Sequence, residues 1–413
     1  MKKHCGVVLL AASFVAACGP ARFPGQARDC GLEIAGLGVS AAQCFEAPTA
    51  RVTAVRIAAA GNVIVAGTFA DRLAFGGATP MRAVAGQGQA FVAGFTPDLT
   101  TQFARAVDAP GVLRGVVAAP RGVGLITGSG DVPEGPFLTM LDPAGNVVSR
   151  RDLGFGGLVT GVATDARGVL MLRTQQDGVR LVVVSSDDGR VLGTQRVSPP
   201  WIHQFPASIT ADALVSDVAL FSDGAYTLHA RAPSDDGDQA MSKMQLGTGA
   251  VAWTRPVHVG TNGQLVAMAG GTAALTPDAI ALCPGRGFAI AAFDGEAALR
   301  WQRCFAAHAT ELRLTTDPAG RLVVTGQMDG SADLGGGMFS VPADKLASFV
   351  LLLDERGETR RAALLSGPAI AAVQAVAVAP DGAVVVAGAV ARSAAGEGRG
   401  ALQTHLFVAS LRD

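Results

Sequence analysis

Six histidines and six cysteines carry most of the side-chain chemistry this 413-residue chain has to offer. The histidines are His4, His203, His229, His258, His308 and His405, and none stands at metal-ligand spacing from another histidine or from a cysteine. They read as surface or loop residues. No Gly-x-Ser-x-Gly elbow and no phosphate-binding loop occurs, and Gly154-Phe155-Gly156 lacks the following helix pattern of a nucleotide site, so it reads as a connection. Two acidic loops, Asp235-Asp236-Gly237-Asp238 and Asp329-Gly330-Ser331-Ala332-Asp333, set carboxylates beside glycines, as calcium loops do. Neither has the calcium-loop spacing or a closing glutamate, and both read as solvated turns. Neither a metal nor a cofactor is expected.

Cys18 stands apart from the other cysteines. Lys2, Lys3 and His4 make a basic start, and Val7 to Ala17 make a short apolar run. Val15-Ala16-Ala17-Cys18 resembles the bacterial lipoprotein signal, in which small residues precede the cysteine that is acylated and becomes the mature N-terminus. The resemblance implies a signal peptide over 1–17, a lipidated Cys18 with a flexible tether over 18–30, and the lipid bilayer as a partner. Gly19 is not the aspartate that retains similar lipoproteins at the inner membrane. The expected location is therefore the cell envelope, anchored at the outer membrane. A second apolar stretch, 369–391, is interrupted by Pro380-Asp381-Gly382. Two strands and a turn explain it better than a membrane helix.

Composition narrows the class. A formal net charge of −1 argues against nucleic acid held through its phosphates. The four lysines, Lys2, Lys3, Lys243 and Lys345, leave arginine as nearly the whole basic complement, which reads as genome bias. With 49% apolar and 16% charged residues, the chain can bury a large core.

The elements that must position any site recur along the chain. Thr310 to Leu364 holds four short apolar runs separated by Asp317-Pro318-Ala319-Gly320, by a long Gly-rich loop and by Asp354-Glu355-Arg356-Gly357. Four strands in meander order, with alternating tight and loose connections, make one blade of a β-propeller. The turn after each first strand aligns at Gly61, Gly122, Gly168, Gly224, Asp278, Gly320 and Gly382. Their spacing runs from 42 residues (Asp278 to Gly320) to 62 (Gly320 to Gly382). Second strands are continuously apolar, as in Val63-Ile64-Val65-Ala66-Gly67 and Val384-Val385-Val386-Ala387-Gly388, which suits strands covered on both faces. Fourth strands carry arginine, as in Trp301-Gln302-Arg303-Cys304-Phe305. The repeats at Gly224 and Asp278 fit least well.

The units GNVIVAGTF…FGG…AFVAGFTPD (from Gly61) and GRLVVTGQM…LGGG…SFVLLLDERG (from Gly320) resemble bacterial lipoproteins built of seven-bladed propeller repeats. That resemblance implies an all-β, seven-bladed propeller of four-stranded antiparallel blades over 31–413, and almost no chemistry. The last repeat shows three strands, whereas Ala42-Gln43-Cys44-Phe45 reads like the fourth strand Gln302 to Phe305. The N-terminal segment is therefore expected to supply the outer strand of the last blade and close the ring.

Cys30, Cys44, Cys283 and Cys304 allow three disulfide pairings in an exported protein. We favour Cys30 with Cys44, which would clip the tether to the closing strand and leave Cys283 with Cys304. The alignment puts Cys283 at the end of a second strand and Cys304 in a fourth, roughly 9–10 Å apart, whereas bridged Cα atoms lie within about 7 Å. Either the alignment is shifted there or these two are unpaired.

The expected function is a non-catalytic binding or scaffold module, monomeric, taking an envelope protein or a glycan on the face with the longer loops. That face gathers the second-to-third and fourth-to-first connections, among them Ser198 to Ala213 with Trp201, His203 and Phe205 as candidate anchors. The alternative is a propeller enzyme of lyase, glycosidase or quinone-dependent dehydrogenase type, with its site at the mouth of the channel. Such sites need convergent His, Tyr, Arg or carboxylates, and the chain has one tyrosine, Tyr226.

Overall fold

The computed structural model describes residues 31–412 apart from connections within that span, the longest of them 197–214. Every regular element among the described residues is a β-strand. They form six four-stranded antiparallel sheets, one five-stranded sheet and two two-stranded ribbons. In chain order we call the large sheets I (51–107), II (112–152), III (158–196), IV (215–257), V (264–305), VI (309–366) and VII (370–412). Within each, consecutive strands pair as neighbours.

Sheet-to-sheet packing explains the continuous apolar runs. Val63–Phe69, the second strand of sheet I, is buried at six of its seven positions, because sheets VII and II cover its two faces. The core is correspondingly divided into layers between successive sheets. Val323 and Val350 meet Val386 and Phe407 between sheets VI and VII. Val117 and Ile126 meet Val159 and Val182 between sheets II and III. Between sheets V and VI, Phe288 stacks on Phe349 with ring centroids 5.7 Å apart. The first strands also touch in sequence from sheet I to sheet VII, and Ile370–Val378 of sheet VII lies against Arg51–Ile57 of sheet I.

Two irregularities recur. In the first strands of sheets I, II, III, IV and VII one residue faces no partner: Thr53, Arg114, Thr160, Ser216 and Gln374. In sheet VI the skip takes Glu311 and Leu312. The bulge presses the first strand onto the second, so a Cβ at Gly67 would lie 2.0 Å from the Arg51 carbonyl oxygen, and one at Gly388 would lie 1.9 Å from that of Ala372. This is why those apolar runs end in glycine. Each fourth strand carries a second bulge, at Gln102, Val148, Leu192, Ala252, Arg300, Arg360 and Ser40. Bulges twist an edge away from pairing, and the arginines on these strands discourage it further.

The expected outer strand is present. Gly38–Glu46 pairs antiparallel with Leu402–Arg412, Cys44 opposite Phe407, as the fourth strand of sheet VII. The same segment does more than expected: Glu33–Ala35 adds a fifth strand to sheet VI, with Ile34 opposite Leu365 and fully buried. The apolar stretch 369–391 becomes two strands, Ile370–Val378 and Val384–Ser393. Among the described residues no helix is long and apolar enough to cross a membrane.

Two expectations need correction. In sheet V the first turn is at Gly270, between Gln264–Met268 and Gly271–Thr276, and not at Asp278. Asp278 itself lies outside the described residues, and a run of small residues at 271–276 hides the second strand from a hydropathy reading. Cys283 lies between the second and third strands rather than at the end of a strand. It forms a disulfide with Cys304 at a Cα separation of 5.7 Å, so the two-strand spacing does not apply. The second-to-third and fourth-to-first connections hold the variation in length, from the short links Phe305 to Ala309 and Ser366 to Ile370 up to the stretches between Phe69 and Gln89 and between Arg196 and Val215.

Candidate binding surfaces

Turns hold several of the aspartates. In sheet II, Asp142 Oδ1 accepts from the backbone N–H of Ala144 (2.9 Å) and of Asn146 (2.8 Å). Asp294 and Asp354 hold the equivalent turns of sheets V and VI in the same way. Asp333 Oδ1 accepts from Gly335 and Gly337, and Asp329 is in contact with exposed His308, Oδ1 to Nδ1 2.9 Å. The carboxylates of the 329–333 loop thus serve two separate local structures. The 235–238 loop lies outside the described residues. Among the described residues no three His, Cys, Asp or Glu side chains are grouped closely enough to hold a metal ion.

His229 and His405 lie in strands, Gly224–Ala230 and Leu402–Arg412, rather than in loops. Cys44 is disulfide-bonded, while Cys18 and Cys30 lie outside the described residues. So do Trp201, His203 and Phe205. The second-to-third connections carry structure of their own. Arg72–Leu73 with Met81–Arg82 makes a ribbon in sheet I's connection, and Ser331–Asp333 with Met338–Ser340 makes one in sheet VI's.

A cavity of about 270 Å³ lies where the first strands of sheets I, II, V, VI and VII meet. It gathers Arg56, Arg114 and Arg313 with Gln264 and Gln374, and no aspartate or glutamate is among the described residues that line it. Both glutamines bridge sheets. The Val52 N–H donates to Gln374 Oε1 at 2.7 Å, joining sheets I and VII. Gln264 Oε1 accepts from the Leu314 N–H at 3.2 Å, and its Nε2 donates to the Leu312 carbonyl at 2.6 Å, joining sheets V and VI. Burial lowers the pKa of the Arg56 guanidinium, because desolvation disfavours the charged form. Arg56 Nη1 donates to the Val55 carbonyl at 2.9 Å. Sequence reading missed all five residues. The available signal was a single polar side chain inside an apolar first strand, as in Val112-Leu113-Arg114-Gly115-Val116 and Ala372-Val373-Gln374-Ala375.

No protein-family model matches the chain, and no curated protein matches it by sequence. Solved structures do. The chain is similar to the Dos1 propeller with a TM-score of 0.54 at 11% identity, over 91% of this chain and 95% of that one. It is similar to the β-propeller domain of Myceliophteria thermophila Cps50 (Swd1), with a TM-score of 0.50 at 10% identity, over 88% and 96%. A chain in the Mitotic Checkpoint Complex gives 0.51 at 11%, over 99% and 100%. The fold is a β-propeller. At these identities the likeness carries the fold alone. Each four-stranded sheet is then a blade with its first strand innermost, which puts the arginine-lined cavity on the axial side of the blades.

Proposed function

We propose that the chain is a lipid-anchored, extracytoplasmic propeller of seven blades acting as a non-catalytic binding module. The cyclic contact of first strands, with sheet VII returning to sheet I, supports seven blades in a closed ring. The outer strand that Gly38–Glu46 gives sheet VII would close it without a free edge. The signal pattern ending at Cys18 supports the anchor, with Cys30 bonded to Cys44 to fasten the tether. The observation that carries the binding reading is how the polar groups are used: turn aspartates cap backbone N–H groups and glutamines tie blade to blade. That leaves long second-to-third connections on a rigid scaffold, where recognition usually resides. Trp201 and Phe205, in the one long fourth-to-first connection, are the proposed anchors for an envelope protein or glycan.

Two measurements test this. Radiolabelled palmitate should enter the wild type and not Cys18→Ser; equal labelling of both removes the anchor. A soluble form starting at Gly19 should capture its partner from envelope extracts, and the double variant Trp201→Ala, Phe205→Ala should fold yet lose capture. Undiminished capture by that folded variant ends the role given to these two residues.

A further inference from the structure

We propose that the axial cavity is a binding site for a small oxyanion, of the carboxylate or phosphate class, held by Arg56, Arg114 and Arg313. The cavity is rich in donors and poor in acceptors. Three guanidinium groups line it, and no carboxylate among the described residues faces them. Its amide acceptors are committed, since Gln374 Oε1 takes the Val52 N–H and Gln264 Oε1 takes that of Leu314. The hydroxyls of Thr53 and Thr315 add two groups able to donate.

The arginines are also incompletely used. Arg114 Nε is buried and has no hydrogen-bond partner in the protein. Arg56 donates one hydrogen bond, from Nη1 to its neighbouring carbonyl, out of its five N–H donors. A guanidinium is a planar fork that matches a carboxylate or phosphate through paired hydrogen bonds, and an unpartnered buried donor is costly. An anion placed among the three guanidinium groups would be attracted by each of them while satisfying the forks. At about 270 Å³ the space has room for phosphate or a small dicarboxylate.

Occupancy would have a structural consequence. The lining residues come from sheets I, II, V, VI and VII, so one ligand would cross-link first strands far apart in sequence. A ligand that binds only the folded chain raises its melting temperature, the gain growing with the logarithm of ligand concentration above the dissociation constant. This inference is independent of the anchor and of the loop face.

The experiment uses the detergent-solubilised full chain with inorganic phosphate and succinate as separate probes, each matched to sodium chloride at equal ionic strength. Saturable calorimetric heat and a rise in melting temperature are expected for at least one probe at concentrations up to about 10 mM. Arg114→Gln should weaken binding by about tenfold or more, the worth of one charge-assisted hydrogen-bond pair. If that variant fails to fold, Arg313→Gln serves the same purpose. Absence of heat and shift with both probes in folded wild type overturns the proposal, as does an equal response in wild type and in both folded variants.

Discussion

Asp142 shows how single residues fix this chain's turns. Its Oδ2 accepts from Asn146 Nδ2 at 3.0 Å, and its Oδ1 takes the backbone N–H groups already described. These bonds, the Asn146 side chain foremost, hold the Asp142 carboxyl below the usual carboxylate range, and the Thr96 hydroxyl does the same for Asp98 in the matching turn of sheet I. A folded-state pKa below the unfolded value means that the contribution is fully present above about pH 4 and is lost as pH falls through the depressed value. Asp142→Ala should therefore be less stable than wild type at neutral pH, with a gap in melting temperature that narrows on acidification. A gap independent of pH would show that the turn is held by packing alone.

At the scale of elements, an outer-strand side chain packs on the next blade's turn. Phe103 of sheet I sits over Gly145 of sheet II, where a Cβ would lie 2.3 Å from its ring. Trp253 of sheet IV packs in one cluster with Ala297 of sheet V, and Trp301 of sheet V covers Gly357 of sheet VI. Trp301 Nε1 also donates to the Glu355 carbonyl at 2.8 Å, and Arg303 pairs with Glu358. Leu99, Gly145, Ala297 and Gly357 all occupy the left-handed position of their turns, at φ from 60° to 80°. Gly357→Ala would bring a Cβ within 2.6 Å of the Trp301 ring at φ +75°. The left-handed backbone alone costs about 1–2 kcal/mol, and displacing the indole adds to it. Gly270→Ala, at φ +74° with nothing within 4 Å, should show only the backbone cost. Denaturant unfolding of both variants measures the difference, and equal losses would mean that the Trp301 contact carries no energy.

For the whole molecule, the N-terminal segment is a strap across two sheets. Glu33–Ala35 covers the edge of sheet VI, and Gly38–Glu46 completes sheet VII; Leu37 between them is buried in the layer both sheets share. Deleting residues 31–46 should uncover two adjacent strand edges and the apolar layer beneath them, lowering the melting temperature and promoting aggregation. Thermal unfolding with light scattering checks this. A transition unchanged in temperature and free of aggregation would mean that both sheets stand without the strap.

Local chemistry made part of this protein legible in its residues alone. Turn glycines at left-handed positions and continuous apolar second strands recur because each blade solves the same short-range problem, so repeat, strand order and outer strand could be read from Gly61, Val63 to Gly67 and the likeness of Ala42–Phe45 to Gln302–Phe305. Where side chains are small, as at 271–276, the same reading slipped and displaced Cys283 with it. Only the tertiary structure decided the rest. A bulge depends on the facing strand, the fifth strand at Glu33–Ala35 depends on an edge more than three hundred residues away, and the arginine cavity exists because separate first strands converge. A lone arginine in an apolar strand carries no sign of which others it will meet. Packing of the first strands brings Arg56, Arg114 and Arg313 together, because nonlocal packing sets which chain positions share one space.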